Sequence, residues 1–324
     1  MSTTTASAQP LVSIVTPTLN QAEFIEATLR SVMNQTYPSI EHIVVDGGSS
    51  DGTLEILERY AGHYNLSWTS KPDSGMYEAV NRGMKVAGGE VLAYLNSDDL
   101  YLPWTVETAV RRLRHAAADV VYGDALFLDE ATRRVRLAFY PPHTRAFALR
   151  VASLVQPTVF WTRAAFERTA GFDQSLHFVG DLDFWIRLGE SCRFAKVDEV
   201  MAIERRHSAA KTDAHTVELL LEARAVRSRH DSRAGGLKRL SAFFERARGW
   251  FWRRAYWAKF LLASRGLVHS GNHWGRFLEA ARPKISVGRV LLTQAPIFGW
   301  GLTHDAVEPS REWIDALTTR DRAV

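Results

Sequence analysis

Short apolar runs alternate with helical periodicity along residues 11–100. Apolar runs bounded by small polar residues predict buried strands at 11–16, 41–45, 68–70 and 92–96. Apolar positions at helical spacing between them predict helices at 23–35, 54–60 and 78–87. This alternation of strand and helix predicts an α/β fold with a mainly parallel, twisted sheet flanked by helices.

Each of these strands runs into a polar loop. The loops are Pro17–Asn20, Asp46–Thr53, Lys71–Tyr77 and Asn96–Asp99. Open α/β sheets bind ligands at the carboxyl ends of their strands, so we expect a site at this edge. Taken alone, the Asp98-Asp99 pair fits a helix cap as well as a ligand site. The turn at 46–53 has neither G-x-G-x-x-G spacing nor a P-loop ending, which excludes those two phosphate-binding motifs.

The second half of the chain continues the pattern with less regular elements. It predicts strands at 119–126, 133–140 and 197–202, and helices at 105–117 and 182–188. Asp124 lies at the centre of the first of these strands, where it either faces an acceptor or makes a local hydrogen bond. Phe160 and Trp161 are expected in the core. Asp181 follows Gly180 just before a helix, near the carboxyl edge of the sheet.

Composition places the chain among ordinary globular proteins. Its 324 residues are 46% hydrophobic and 23% charged, and 40 Lys and Arg against 36 Asp and Glu give a formal charge of +4. This small basic excess lies mainly in the C-terminal third and argues against nucleic-acid binding. The single cysteine, Cys192, excludes an internal disulfide and cysteine-based metal centres, and it favours a cytoplasmic location. Residues 1–10 lack the features of a secretory signal, and we expect them to be disordered.

The order of the motifs resembles a known enzyme family. The series begins with VSIVTPTLNQAEFIEATLRSVMNQTYPSIEHIVVDGGSSDGT, continues with KPDSGMYEAVNRGMKVAGGEVLAYLNSDDLY, and ends with YGDA at 122–125 and GDLDFWIRL at 180–188. This ordered set, over residues 10–212, resembles the family-two glycosyltransferases, the inverting type with a GT-A fold, including those of bacterial cell-surface polysaccharides. The resemblance implies transfer of a sugar, of the hexosyltransferase type, from a nucleotide-sugar donor to an acceptor hydroxyl.

The resemblance also implies roles in the donor half. The matching donor-binding positions are Pro17, Thr18, Asn20, Asp46, Ser49, Asp73, Asn81, Ser97 and Asp98. The turn after the second strand reads Asp46-Gly47 where many members have two aspartates, so the nucleotide base is not identified. Asn96-Ser97-Asp98-Asp99 matches the family's metal-binding aspartate motif, with Asn96 in place of the first aspartate. Asp98 and Asp99 as oxygen ligands suit Mg²⁺ or Mn²⁺.

Further implied roles concern the acceptor half. Asp181 matches the family's catalytic base, which takes a proton from the attacking hydroxyl. The segment RRHSAAKT at 205–212 resembles the R-x-H-x-x-S-K-T loop of the same branch. We expect His207 to contact the metal or the diphosphate, and Arg206 or Lys211 to contact phosphate.

The chain changes character after residue 215. Residues 11–215 are predicted to form the GT-A domain, with a donor half at 11–100 and an acceptor half at 101–215, and 216–324 to form a mainly helical extension. Within the extension, 238–264 predicts a long amphipathic helix rich in arginine and tryptophan. Such a helix either lies in a membrane interface, here the inner face of the plasma membrane, or packs on the catalytic domain.

These observations predict a metal-dependent inverting glycosyltransferase acting on a lipid-linked or polysaccharide glycan. Two alternatives stay open. A sugar-phosphate nucleotidyltransferase uses a similar sheet, but it needs a glycine- and arginine-rich triphosphate loop that residues 12–21 lack. A non-catalytic scaffold for nucleotide sugars, or a membrane adaptor, would not need Asp98, Asp99 and Asp181 together.

Overall fold

The computed structural model describes residues 9–132, 135–150, 154–208, 210, 215–233 and 235–264, together with 290–291 and 303–304. Its first half repeats a strand–helix unit. The strands are β1 (Val12–Thr18), β2 (Ile40–Asp46), β3 (Leu66–Ser70) and β4 (Val91–Tyr94). The helices are α1 (Ile25–Met33), α2 (Thr53–Tyr60) and α3 (Met76–Val86). The predicted elements of the donor half are therefore confirmed, with ends shifted by a few residues.

The sheet order in this half reverses at β1. Strands β3, β2, β1 and β4 lie side by side and run parallel, with β2 on one flank of β1 and β4 on the other. A crevice opens beyond the carboxyl ends of two strands at such a reversal. The loops that follow β1 and β4, Pro17–Asn20 and Asn96–Asp99, therefore meet at one place.

The second half extends the same sheet with mixed strand directions. Its strands are β5 (Leu100–Tyr101), β6 (Val120–Asp129), β7 (Val135–Ala138), β8 (Phe160–Thr162) and β9 (Phe194–Arg206). Its helices are α4 (Thr105–Ala116), α5 (Arg145–Arg150), α6 (Arg163–Glu167) and α7 (Gly180–Leu188), with a 3₁₀ turn at Gln156–Thr158. Beyond β4 the order is β8, β6, β9, β5; β6 and β9 are parallel, while β8, β5 and β7 pair antiparallel.

Both faces of the sheet are buried, which is why β1 and β4 read as continuous apolar runs. Successive side chains of a strand point to opposite faces. Val15, Leu92 and Tyr94 pack in one hydrophobic cluster with α3 and α7, whereas Ile14 and Ala93 pack in a second cluster with α4. Phe160 and Trp161 are fully buried, which confirms the prediction of core packing.

Two helices follow the sheet. They are α8 (Thr216–His230) and α9 (Gly235–Ser264). Helix α8 contacts α7 and α5, and α9 contacts α5, so both lie against the acceptor half. The short strands β10 (Val290–Leu291) and β11 (Thr303–His304) pair antiparallel. In the part of the chain that the structure describes, no helix combines the length and the apolarity that a bilayer crossing requires.

Candidate active site

A cavity of about 510 Å³ opens at the carboxyl ends of β1 and β4. It extends to the start of α7 and to one side of α8. The predicted site residues that line it are Pro17, Thr18, Asp73, Ser97, Asp98, Asp99, Asp181 and Arg206. The structure thus brings residues from both halves of the chain to one cavity.

Backbone contacts fix the loop that contains Asp98 and Asp99. The Thr28 hydroxyl lies 2.8 Å from the Ser97 carbonyl oxygen and 2.9 Å from that of Asp99, and donates to them. The Arg205 guanidinium, buried against the Phe24 ring, donates to the Asp98 carbonyl and, at 3.0 Å, to that of Phe24. Because side chains of α1 and β9 hold this backbone, the aspartate side chains keep one position relative to the sheet.

Asp98 and Asp99 have different environments. Asp99 is 3% exposed, and its Oδ1 accepts a hydrogen bond of 3.1 Å from the Arg205 backbone N–H. Burial, followed by the neighbouring Asp98 charge, raises the pKa of Asp99 well above its usual range. The Asp98 side chain is 22% exposed and lies 3.1 Å from His207 Nε2. His207 in turn stacks on the Phe24 ring at 4.2 Å between centroids. Asp98 is therefore the more accessible carboxylate of the pair.

Two side chains at this loop suit a divalent cation whose remaining ligands are phosphate oxygens and water. Asp98 and His207 offer one carboxylate and one imidazole. The buried Asn96 Oδ1, in the same cavity wall, accepts no hydrogen bond from the part of the chain that the structure describes. No group of three His, Cys, Asp or Glu side chains within the described ranges is arranged to hold a metal. Sites with one or two protein ligands plus phosphates and water are usual for Mg²⁺.

Three predicted donor-binding residues form a framework behind the cavity. The Asp46 carboxylate is fully buried and accepts hydrogen bonds from the Gly48 and Ser49 backbone N–H groups at 2.9 Å and from the Ser70 hydroxyl at 2.6 Å. The Asn20 side chain accepts from the Ser50 N–H at 2.9 Å, and its own N–H donates to Ser49 Oγ at 2.7 Å. None of Asn20, Asp46 and Ser49 lines the cavity. They connect the loops after β1 and β2.

Gly47, in the turn after β2, lies close to the Asp73 side chain. A Cβ on Gly47 would lie 2.9 Å from Asp73 Oδ2. Asp73 lines the cavity and accepts a hydrogen bond of 3.0 Å from the Gly75 N–H. A second aspartate at position 47 would therefore displace Asp73.

Two other predicted contacts have structural partners instead. The Asn81 side chain, on α3, donates to the Phe172 carbonyl at 2.8 Å and accepts from the Phe172 N–H at 2.9 Å. It therefore connects the loop around Phe172 to α3, and it does not line the cavity. Asp124 is fully buried, and Lys196 Nζ lies 3.0 Å from its carboxylate. Since Asp124 does not line the cavity, the structure favours the local role over contact with an acceptor.

The two basic candidates differ in what the structure says of them. Arg206 lines the cavity, and its Nε lies 3.1 Å from the Glu204 carboxylate, which also lines it. Lys211 lies outside the described residues. Contact of either residue with phosphate stays a prediction.

Asp181 stands at the start of α7 in the cavity wall. Its side chain is half-buried, and its Oδ1 accepts a hydrogen bond of 2.7 Å from the Leu182 N–H. Burial raises the pKa of Asp181 to about 7, with a smaller contribution in the same direction from the Glu204 charge. A carboxylate with such a pKa exchanges protons near neutrality, as a general base must.

Two residues that sequence reasoning missed position Asp181. The Glu222 carboxylate, on α8, accepts hydrogen bonds from the backbone N–H groups of His177, Phe178 and Val179 at 2.9, 2.7 and 3.0 Å. The Tyr77 hydroxyl, on α3, accepts from the Asp181 N–H at 3.3 Å. A negatively charged residue on an otherwise ordinary helix gives no signal in the sequence that it caps a segment more than forty residues earlier.

Gly180 allows this close approach of α7 to α3. A Cβ at position 180 would lie 2.6 Å from the Tyr77 ring, which is 2% exposed and cannot move aside without disturbing the core. The glycine before Asp181 is therefore required by packing.

Comparisons with known sequences identify the family of the chain. Residues 13–170 match the family model Glycosyl transferase family 2. A PGL/p-HBAD biosynthesis glycosyltransferase from Mycobacterium bovis is 32% identical over 184 residues, covering 56% of this chain and 70% of that relative. Chondroitin synthase from Escherichia coli is 28% identical over 193 residues, covering 59% of this chain and 28% of that relative. The chain thus spans a minor part of the second relative's length.

Solved structures show the same fold. S. aureus TarS in complex with UDP-GlcNAc aligns with a TM-score of 0.58 at 21% identity, covering 72% of this chain and 70% of that one. The mannosyltransferase PcManGT from Pyrobaculum calidifontis, in complex with GDP-Man and Mn²⁺, aligns with a TM-score of 0.56 at 20% identity, covering 80% and 76%. At these identities the likeness establishes the GT-A fold. Together with the relatives above, it makes the chain a member of glycosyl transferase family 2.

Proposed function

We propose that the protein transfers a sugar from a nucleotide-sugar donor to an acceptor hydroxyl with inversion at the anomeric carbon. One observation supports this most directly. Asp98, in the loop after β4, and Asp181, at the start of α7, line the same cavity. Burial raises the pKa of Tyr94 well above its usual range, and Asp181 and Asp99 add to this shift, so both acidic groups lie near the same tyrosine.

The reaction assigns a separate role to each carboxylate. Asp181 takes the proton of the acceptor hydroxyl, whose oxygen attacks the anomeric carbon as the bond to the nucleoside diphosphate breaks. Asp98 and His207 would hold a divalent cation, which would supply positive charge to the departing diphosphate. Thr18, whose buried hydroxyl has no hydrogen-bond partner among the described residues, and Asp73 offer polar contacts to the donor. A single displacement inverts the reacting centre.

The donor is a nucleoside diphosphate sugar of a kind that the fold relatives bind. TarS was solved with UDP-GlcNAc, and PcManGT with GDP-Man and Mn²⁺. The test is the release of nucleoside diphosphate from a panel of UDP-, GDP- and dTDP-sugars with Mn²⁺ or Mg²⁺, followed by NMR of the product's anomeric configuration. We expect turnover with one donor class and an inverted product. Donor binding with no transfer to any glycan or lipid-linked acceptor would instead favour a scaffold, and a retained configuration would refute the inverting mechanism.

We further propose that α9 binds an anionic membrane surface. Its apolar residues Leu240, Phe243, Phe244 and Phe251 are exposed, as are Arg239, Arg246 and Arg254. The opposite side of the helix, with Arg248 and Gly249, packs against the region of α5. The sole acidic residue of α9, Glu245, pairs with Arg248 at 2.8 Å on that inner side. Exposed aromatic rings beside cations, without an acidic residue on the outer face, complement an anionic lipid surface.

Vesicle flotation of the full chain tests this surface. We expect binding to phosphatidylcholine vesicles that contain phosphatidylglycerol, and loss of binding in the variant Phe244→Glu. Val86→Glu, which alters another exposed apolar residue on α3, is the matched control and should bind as the parent does. Equal flotation of parent and Phe244→Glu would refute the proposal.

A further inference from the structure

The cavity has two chemically distinct sides. The side formed by the loops after β1 and β4 presents Thr18, Asp73, Ser97 and Asp98. The side beside Asp181 is formed mainly by apolar residues of α8, of the α7 entry and of the segment before the 3₁₀ turn. Its apolar members are Leu154, Val155, Phe178, Val179, Leu182, Leu219, Leu220 and Ala223. The donor-facing side is thus polar and the base-facing side is apolar.

The apolar side reaches the solvent along the first turns of α8. Leu219 is 5% exposed and packs with Val179, Leu182 and Ala223. Leu220, next to it, is 41% exposed although it lines the cavity. An exposed leucine that continues a buried apolar wall leaves apolar surface for a ligand to cover.

Few polar groups are available on this side to hold a polar acceptor. Apart from Asp181, the described lining residues with polar side chains on α8 and on the segment that enters α7 are His177 and Arg227, while Glu204 and the Tyr77 hydroxyl lie near Asp181 itself. Arg227 Nε already donates to the Ala148 carbonyl at 3.1 Å, and burial lowers the pKa of this guanidinium. A glycan chain presents hydroxyls that need hydrogen-bond partners when they are buried, and the described residues of this wall offer few.

We propose that the acceptor is amphipathic, with its reacting hydroxyl at Asp181 and an apolar group, a lipid chain or an aromatic aglycone, against α8. The inference rests on the proposed glycosyltransferase function and selects an acceptor with an apolar group over a polysaccharide without one. Burial of such a group against leucine and valine side chains supplies binding energy that needs no hydrogen bonds. The order of the two sides along the cavity then places the hydroxyl between the donor and the apolar group.

Two ligands that share a glucose head group and differ in the length of their alkyl chain test the apolar side of the cavity. The measurement is binding and needs no turnover. The probes are n-octyl β-D-glucopyranoside, kept below its micelle concentration, and methyl β-D-glucopyranoside, with binding to the full chain followed by saturation-transfer NMR and titration. We expect the octyl probe to bind at least about tenfold more tightly, and Leu220→Gln to weaken its binding about fivefold. Leu221→Gln alters the next residue of α8, which is 61% exposed and does not line the cavity, and should leave binding unchanged.

The outcomes separate this inference from the proposed function. Equal affinity for the two probes, or equal losses in Leu220→Gln and Leu221→Gln, would overturn the amphipathic acceptor. An absence of nucleoside diphosphate release with every donor would overturn the glycosyltransferase proposal and would leave the probe binding as measured. Octyl binding that is lost in Phe244→Gln and kept in Leu220→Gln would place the alkyl chain on α9 and would also overturn the inference.

Discussion

The His207 imidazole lies 3.1 Å from the Asp98 carboxylate, although 109 positions separate the two residues in the chain. His207 follows the last residue of β9, and Asp98 lies in the loop after β4. Stacking on Phe24 holds the imidazole on one side, and the Thr28 and Arg205 contacts hold the Asp98 backbone on the other. These contacts fix the position of Asp98 relative to His207.

Removal of either member of this pair should weaken metal-dependent donor binding. We expect His207→Ala and Asp98→Asn each to reduce the thermal stabilisation that Mn²⁺ and a nucleotide sugar give together, by roughly tenfold in apparent affinity. His115→Ala, at an exposed position of α4, is the control and should behave as the parent does. Unchanged stabilisation in both variants would show that the pair does not hold the cation.

The decrease of kcat at low pH, the acid limb of its pH profile, should report the protonation of Asp181. A base must be deprotonated to act, and the pKa of Asp181 is raised to about 7. We therefore expect kcat to fall as the pH decreases below about 7, and Asp181→Asn to abolish transfer while donor affinity is kept. The measurement is nucleoside diphosphate release from pH 5 to 9 at saturating donor. Turnover near the parent level in Asp181→Asn would refute the assignment.

The raised pKa of Asp181 should also lower the stability of the fold at alkaline pH. The folded-state pKa, about 7, lies above the value of 3.8 for a free aspartate, so the unfolded chain releases the proton first as the pH rises. The penalty grows between about pH 4 and pH 7 and then stays constant. We expect Asp181→Asn to raise the Tm by a few degrees at pH 8 and by little at pH 4, as thermal unfolding at the two pH values would show. A lower Tm at pH 8 would contradict this.

Glu222 should tune Asp181 as well as hold its segment. The Glu222 charge raises the pKa of Asp181, so Glu222→Gln should shift the acid limb of kcat to lower pH. The other groups near Asp181 in the described chain, Glu204, Arg227 and Tyr77, stay unchanged in this variant. A purely structural role of Glu222 would lower kcat without shifting the pH at which kcat falls. Glu218→Gln, on the exposed side of the same helix, is the control.

Asp124 should matter for stability rather than for acceptor binding. Asp124→Ala removes the acceptor of the Tyr140 N–H and one of two carboxylates beside Lys196, which keeps Asp198 at 3.1 Å, so the cost is about 1–3 kcal/mol. We expect Asp124→Ala to lower the free energy of unfolding by that amount, as measured in urea, while the acceptor KM stays unchanged in the milder Asp124→Asn. An increased acceptor KM in Asp124→Asn with normal stability would restore the acceptor role.

The donor half was predictable because its pattern is local. Each strand of β1 to β4 is an apolar run that ends in a polar loop, and parallel pairing brings those loops to one edge. The two-residue strand β5 was missed because Leu100–Tyr101 directly follows the Asp98-Asp99 loop and pairs antiparallel with β9, a contact about a hundred residues distant in the chain. The length and the hydrophobic periodicity of a segment do not predict such a pairing.

The site was predictable in its residue types but less so in their roles. Asp46 and Asn20 lie at strand ends and Asn81 lies on α3, yet the side chains of all three bond to backbone or hydroxyl groups of other loops. Whether a polar side chain faces the cavity or supports a loop depends on contacts between segments far apart in the chain. The prediction of a C-terminal extension from residue 216 left out a contribution that the structure shows, because Glu222 and Leu219 of α8 contribute to the base segment and to the cavity wall.

The contact between Gly180 and Tyr77 joins the start of α7 to the start of α3. Tyr77 belongs to the first turn of α3, directly after the Asp73 loop on the donor side, and its ring fills the space where a side chain at position 180 would stand. Its hydroxyl bonds to the backbone of Asp181. One aromatic side chain, through its ring and its hydroxyl, therefore fixes the spacing between the segment after Asp73 and the backbone of Asp181.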